Sequence, residues 1–344
     1  MKNFCFISIV VAIFTITNSA HAAENLQVAK LFANLPDNCP TPDAFAIAPN
    51  GSLTLSCPNF ANNKLQGELF SVDKLGNVSH LVTVPKLGLS KKANPMGIAY
   101  DSQGALYVAD ARGIKDGRIL KMSFDQNKLV KTEIVASGIN PNGLRIHDSA
   151  VYITQPMMPK INTDGMTSGI YRFSLTDRDK TMTNSLLDKE LIFNVQTDNP
   201  DIQVGLDGLD FDKDGYLFTT DLGDGEVYKL TLDSDGNVVR KELYMNIPND
   251  ARIDGMVFDD EGNLYLAGFG LNQVFKITSN KRLIKIADYP DNDGSNGQID
   301  QPADLMVYDG KLVISNFDLM KGNGLRNTEH SKPYTLSYIN LKKF

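Results

Sequence analysis

One pattern recurs six times along the 344-residue chain and constrains the fold more than any other feature. It reads x-G-φ-x-φ-x-x-x-G-x-L-Y-φ-x-x, with φ apolar. The copies are "DAFAIAPNGSLTLSC" from Asp43, "MGIAYDSQGALYVAD" from Met96, "NGLRIHDSAVYITQ" from Asn142, "DGLDFDKDGYLFTTD" from Asp207, "DGMVFDDEGNLYLAG" from Asp254 and "ADLMVYDGKLVISN" from Ala303. The third and sixth are one residue shorter. The spacing, roughly 45 to 65 residues, suits the blades of a propeller. Within each copy an alternating strand, a D-x-x-G or P-N-G turn and a second strand predict a β-hairpin.

A third strand follows every hairpin, as in "GELFSVD", "SGIYRFSL" and "YTLSYINL". A fourth follows only five of them, as in "SHLVTVP" and "KELYMNI". The sixth stands at the other end of the chain as "QVAKLFANL", residues 27–35. The expected architecture is an all-β, six-bladed propeller forming a single domain over residues 23–344. Its last blade combines one N-terminal with three C-terminal strands. That closure removes the exposed edges an open array would have.

The first strand of each propeller blade lines the central channel, so equivalent positions meet around one axis. The first template position is Asp43, Met96, Asn142, Asp207, Asp254 and Ala303. The second is Ala44, Gly97, Gly143, Gly208, Gly255 and Asp304, where glycine admits a neighbouring backbone or a ligand. Like charges gathered in a poorly solvated channel raise one another's pKa or require a cation. Oxygen donors without His or Cys select hard cations, Ca²⁺ first and Mg²⁺ or Mn²⁺ next. A polar channel filled with ordered water is the reading without a metal.

The blade-four stretch "GLDGLDFDKDGYLFTTD", residues 205–221, also contains D-x-D-x-D-G, the opening of a calcium loop. Asp210, Asp212 and Asp214 match it, and Asp221 stands where the terminal ligand would be. Such a loop needs flanking helices, and these flanks read as strands. The same interval in other copies is "AIAPNG", "AYDSQG" and "VFDDEG". A hairpin turn is therefore expected. The second strands end in Cys57, Asp110, Gln155, Asp221, Gly268 and Asn316, expected at the opposite end of the hairpin. Asp110 and Asp221 are expected there as turn and cap residues. His80, His147 and His330 miss the channel position, and no G-x-S-x-G or phosphate loop is present. Met157 and Met158 fall in an insertion expected to pack at the channel mouth.

Residues 1–22 have Lys2, an apolar run and the small-x-small site Ala20-His21-Ala22, the pattern of a secretory signal peptide. An exported chain, periplasmic or secreted, is expected to begin near Ala23. No other segment is long and apolar enough to span a membrane. Cys39 and Cys57 then remain, and in an oxidising compartment a pair is usually bridged; two buried thiols are the alternative. A net charge of −7 without a basic patch argues against nucleic acid as a partner. Oligomeric state is not readable.

At "PNGL", residues 141–144, and "LDGLDFDKDGYLFTTD", residues 206–221, the chain resembles the senescence-marker-protein/gluconolactonase group of six-bladed propellers. The resemblance implies hydrolysis of small-molecule lactones or esters. It also implies a divalent cation at the channel mouth, usually Ca²⁺, with Mg²⁺, Mn²⁺ or Zn²⁺ as alternatives. On that resemblance Asp43, Asn142, Asp207 and Asp254 are the metal set, and Asp207 or Asp254 activates water. Asn142 and Asp207 match the group's blade-three Asn and blade-four Asp. Asp43 replaces a Glu, so the site must contract or bind through water. Asp254 sits where paraoxonase-like relatives carry an acidic ligand. Met96 stands where paraoxonases carry a histidine thought to act as base, which argues against that mechanism. A non-catalytic NHL-like propeller binding a small molecule or protein is the competing reading.

Overall fold

The structure is a computed structural model and describes residues 26–86 and 91–341. The expected signal segment lies outside the described residues. Six antiparallel sheets stand around one axis. Their innermost strands are Phe45–Ile47, Pro95–Tyr100, Leu144–His147, Leu206–Phe211, Ile253–Phe258 and Pro302–Tyr308, and each touches the next around the whole ring. The protein is a six-bladed β-propeller. In the last blade, Lys30–Asn34 pairs antiparallel with Thr335–Asn340, outermost of four strands. The N-terminal strand thus closes the ring as its sequence likeness to the other outer strands implies.

The apolar positions of the template bury six cores, one at each blade junction. Leu209, Leu217 and Leu230 of blade four, for example, meet Tyr152 and Ile170 of blade three. Burial of such alternating faces supplies most of the driving force for the ring. Blade two carries an unexpected fifth strand. Lys180–Thr181, from the link between the third and fourth strands of blade three, pairs parallel with Lys128–Ser137.

The D-x-x-G turns share one device. The aspartate Oδ1 accepts the backbone N–H two and four residues on, at Asp73, Asp101, Asp212, Asp233 and Asp259. The closing glycines have φ between 79 and 85°, a region that side chains with a Cβ avoid. Asp212 is therefore committed to its own turn, and Leu206–Phe211 and Leu217–Asp221 on either side are strands. The blade-four stretch folds as a hairpin.

Cys39 and Cys57 form a disulfide with Cα atoms 5.3 Å apart. It ties the chain leading into blade one to the end of that blade's second strand. Among the described residues no helix is long and apolar enough to cross a membrane.

Candidate active site in the central channel

The second-position glycines set how closely the blades meet. A Cβ at Gly143 would stand 2.5 Å from the Asp207 carbonyl oxygen, and one at Gly208 only 2.3 Å from that of Asp254. Both distances are closer than real Cβ contacts allow. The glycines thus admit the next blade's backbone rather than a ligand. Second-strand hydroxyls then hold the carbonyls of the ring residues from the blade before. Thr154 Oγ1 donates to Asp207 O at 2.5 Å, Thr220 Oγ1 to Asp254 O at 3.4 Å, and Ser315 Oγ to Asp43 O at 2.5 Å. The backbone beneath the ring is fixed by the blade packing itself.

Asp43, Asn142, Asp207 and Asp254 face one cavity of about 20 Å³, room for roughly one water-sized sphere. They come from blades one, three, four and five. Met96 of blade two is not in its lining; the side chain packs on the core between blades two and three. Asn142 Nδ2 donates a short hydrogen bond to Asp207 Oδ1.

Burial pushes the Asp43 and Asp254 carboxyls well above the usual range. For Asp43, neighbouring Asp304 and Asp207 add to this; for Asp254, Asp207, Asp43 and Asp304 do. Burial pushes Asp207 up to about 7, against the bond from Asn142. The influences acting on Asp43 and Asp254 all favour the neutral form.

Next to this ring lies a layer the template did not single out as functional. Arg145 Nε stands 3.3 Å from Asp210 Oδ1, and its Nη2 stands 3.8 Å from Asp304 Oδ1. Arg145 also donates to the carbonyls of Leu144 at 3.0 Å and Met256 at 3.1 Å. Asp210 accepts the Phe258 amide at 2.8 Å, and Asp304 accepts the Phe45 amide at 3.1 Å. The two carboxyls are raised by burial, with Arg145 opposing. On the side lined by Phe45, Ile98, Ile146, Val257 and Met306 the channel opens into a cavity of about 270 Å³.

In blade four a bulge explains how one strand supplies both layers. The register shifts between Leu206 and Leu209, and at the matching place in blades two, five and six. The extra residue breaks strict alternation, so Asp207 and Asp210 both reach the channel. The sequence signal for the second layer is an Arg and an Asp at the fourth template position of adjacent blades.

The expected place of the second-strand ends needs correction. Asp221 pairs with Leu206 and Asp110 with Pro95, beside the channel position rather than at the far end. Antiparallel pairing puts the end of one strand beside the start of the other. Both are fully buried and bonded: Asp110 accepts the Asn94 amide at 2.7 Å and Arg118 Nε at 2.8 Å, and Asp221 accepts the Asp224 amide at 3.1 Å. His147 closes the first strand of blade three and stacks on Phe211 at 4.1 Å. Met158 is buried in the core between blades two and three, while Met157 is exposed.

Among the described residues, no three His, Cys, Asp or Glu side chains gather closely enough to hold an ion as they stand. By type and charge the ring still fits a hard cation: three carboxylates and an amide around water-sized room, with Arg145 of the same lining paired to Asp210 and Asp304. Coordination requires these side chains to draw inward.

The sequence matches the model of the SMP-30/Gluconolactonase/LRE-like region over residues 65–296, and the chain belongs to that family. Among curated proteins no sequence matches. The fold is similar to a gluconolactonase from Xanthomonas campestris at 15% identity and TM-score 0.56, covering 92% of this chain and 96% of that one. It is similar to a calcium-binding protein, regucalcin, from Agrobacterium tumefaciens at 15% identity and TM-score 0.59, with 92% and 96% covered. It is also similar to a streptogramin B lyase at 15% identity and TM-score 0.56, with 92% and 98% covered. At these identities the structures share the fold, and the fold alone does not select a chemistry.

Proposed function

We propose that the chain is an exported hydrolase of small-molecule lactones or esters that works with a divalent cation, Ca²⁺ first, at the channel ring. The observation that carries this reading is the convergence of Asp43, Asn142, Asp207 and Asp254 on one cavity whose basic lining residue, Arg145, is paired with Asp210 and Asp304 instead. Family membership supports the reaction class. The regucalcin and gluconolactonase neighbours support the metal and the substrate type. The sequence of residues 1–22 and the Cys39–Cys57 bridge support export.

Asp43, Asn142, Asp207 and Asp254 would hold the ion. When bound, such an ion polarises a carbonyl oxygen and stabilises the oxyanion formed on hydrolysis. Asn142 holds one oxygen of Asp207 and so fixes how the carboxylate faces the cavity. Asp207, or Asp254 where Asp207 is engaged as a ligand, takes the proton from the attacking water. The same carboxylate then returns it to the departing alkoxide.

The test is a panel of lactones and aryl esters assayed with wild type and Asp207→Asn, each with added Ca²⁺ and with EDTA. Hydrolysis by wild type, abolished by EDTA and reduced on the order of 10²–10⁴-fold in the variant, is the expected result. Hydrolysis untouched by both EDTA and the substitution contradicts it. Tight binding of a panel member without turnover would favour the non-catalytic binding propeller.

A further inference from the structure

Outside the channel, a second acidic region lies between two loops of blade six. One loop, residues 289–301, leads into the blade. The other, residues 317–334, joins its second and third strands. Asp300 is 1% exposed, and neither of its carboxylate oxygens has a hydrogen-bond partner. Asp318 is buried beside it; its Oδ2 accepts the Ser331 amide at 2.9 Å, while its Oδ1 has no partner. Asn327, 2% exposed, lies against Asp318. Its Nδ2 donates to the Met320 carbonyl at 3.4 Å, leaving Oδ1 without a partner.

Four buried acceptor oxygens therefore stand in one region without a hydrogen-bond partner of standard geometry, with Asp318 in contact with both Asp300 and Asn327. The charges that act on Asp300 are Asp318, Asp291 and Asp293, all acidic. His330 Nδ1 stands 3.6 Å from Asp318 Oδ2, the oxygen that already accepts the Ser331 amide. Nearby amides are already committed. Asp300 N donates to Asn316 Oδ1 at 3.1 Å, and the Leu319 and Met320 amides donate to Gln301 Oε1 at 2.8 and 2.6 Å. Buried polar groups in folded proteins are satisfied, and a buried carboxylate needs a partner most of all. A proton shared by Asp300 and Asp318 would serve one pair of these oxygens and leave the others bare. A hard cation serves all of them.

We propose that Asp300, Asp318 and Asn327 form a structural site for a divalent cation, Ca²⁺ by its all-oxygen donors, that ties loop 289–301 to loop 317–334. Two carboxylates balance its charge, and waters complete the shell. The loops already meet through Thr328, whose hydroxyl donates to Asp291, and through Gln301 and Met320. The cation locks a contact the fold has prepared. The proposal depends on neither the channel ring nor hydrolysis.

The test counts calcium. The purified chain is stripped with EDTA and dialysed against CaCl₂, and bound calcium per chain is measured for wild type, Asp207→Asn/Asp254→Asn and Asp300→Asn/Asp318→Asn. Limited proteolysis within residues 317–334 is followed in parallel. The ring variant is expected to keep one equivalent and calcium-dependent protection of the loop. The Asp300→Asn/Asp318→Asn variant loses one equivalent and that protection. Should only the blade-six variant lose calcium, the ring as a metal site fails and this site stands. If the blade-six variant keeps the wild-type count and protection, the proposal is overturned. Should it fail to fold, Asn327→Leu is expected to weaken calcium protection of the loop at least tenfold, and unchanged protection overturns the site equally.

Discussion

Two layers of the same channel use the same residue type to opposite ends. In the layer of Asp210 and Asp304, each carboxylate accepts a backbone amide and faces Arg145. In the ring of Asp43, Asp207 and Asp254, the carboxylates face one another across room for about one water. The first arrangement is complete within the protein and holds blades one, three, four, five and six together. The second leaves its charge for something from outside. Buried charge is thus not one phenomenon: its meaning depends on whether the partner is built into the chain.

The largest expected effect comes from breaking the completed layer. Arg145→Met leaves two buried carboxylates unpaired and should cost about 3–5 kcal/mol in denaturant unfolding. Adding Asp210→Asn and Asp304→Asn should recover much of that loss. A cost below about 1 kcal/mol for Arg145→Met would mean that the layer is not held by its charges.

Removing charge from the ring should act with the opposite sign. Asp43→Asn is expected to stabilise the EDTA-treated protein by about 1 kcal/mol or more, because it relieves repulsion among desolvated carboxylates. Destabilisation in EDTA would show the ring to be internally compensated like its neighbour.

A pH series sharpens the same contrast. Asp207 is raised to about 7, so its folded pKa exceeds its unfolded one. Protonation then favours the folded state: the contribution is fully present below the unfolded carboxylate value, near 4, and is lost as pH rises through about 7. Melting of the EDTA-treated protein should fall by on the order of 2–4 °C between pH 5 and 7.5, and less steeply in Asp207→Asn. Equal slopes in the two proteins would remove Asp207 as the source.

The smallest effect concerns the turn. Asp212→Ala should cost about 1 kcal/mol through lost bonds to the Asp214 and Tyr216 amides, with calcium binding unchanged. Loss of calcium would revive the loop reading of residues 210–221.

The ring was legible in the sequence because six copies could be superposed and a propeller brings equivalent positions to one axis. The completed layer was less so. Arg145 and Asp210 sit at a template position that simple alternation turns away from the channel, and only the bulge after Leu206 brings Asp210 to the axis. Asp304 stood in the column of glycines as an exception, and its charge was the available clue. The blade-six loops lie outside the repeat, so superposition says nothing of Asp300, Asp318 or Asn327. The Cys39–Cys57 bridge was one of two readings of the cysteine pair, and Cys57 at the end of a template copy already placed such a bridge at the entry of blade one.

The central claim is that the ring is destabilising when empty and stabilising when it holds its cation. The direct measurement is the unfolding midpoint of wild type and Asp254→Asn, each in EDTA and in saturating CaCl₂. Any calcium site elsewhere contributes equally to both proteins and cancels in the comparison. The account predicts a change of sign: the variant more stable than wild type in EDTA and less stable in CaCl₂. A difference of the same sign under both conditions would contradict it.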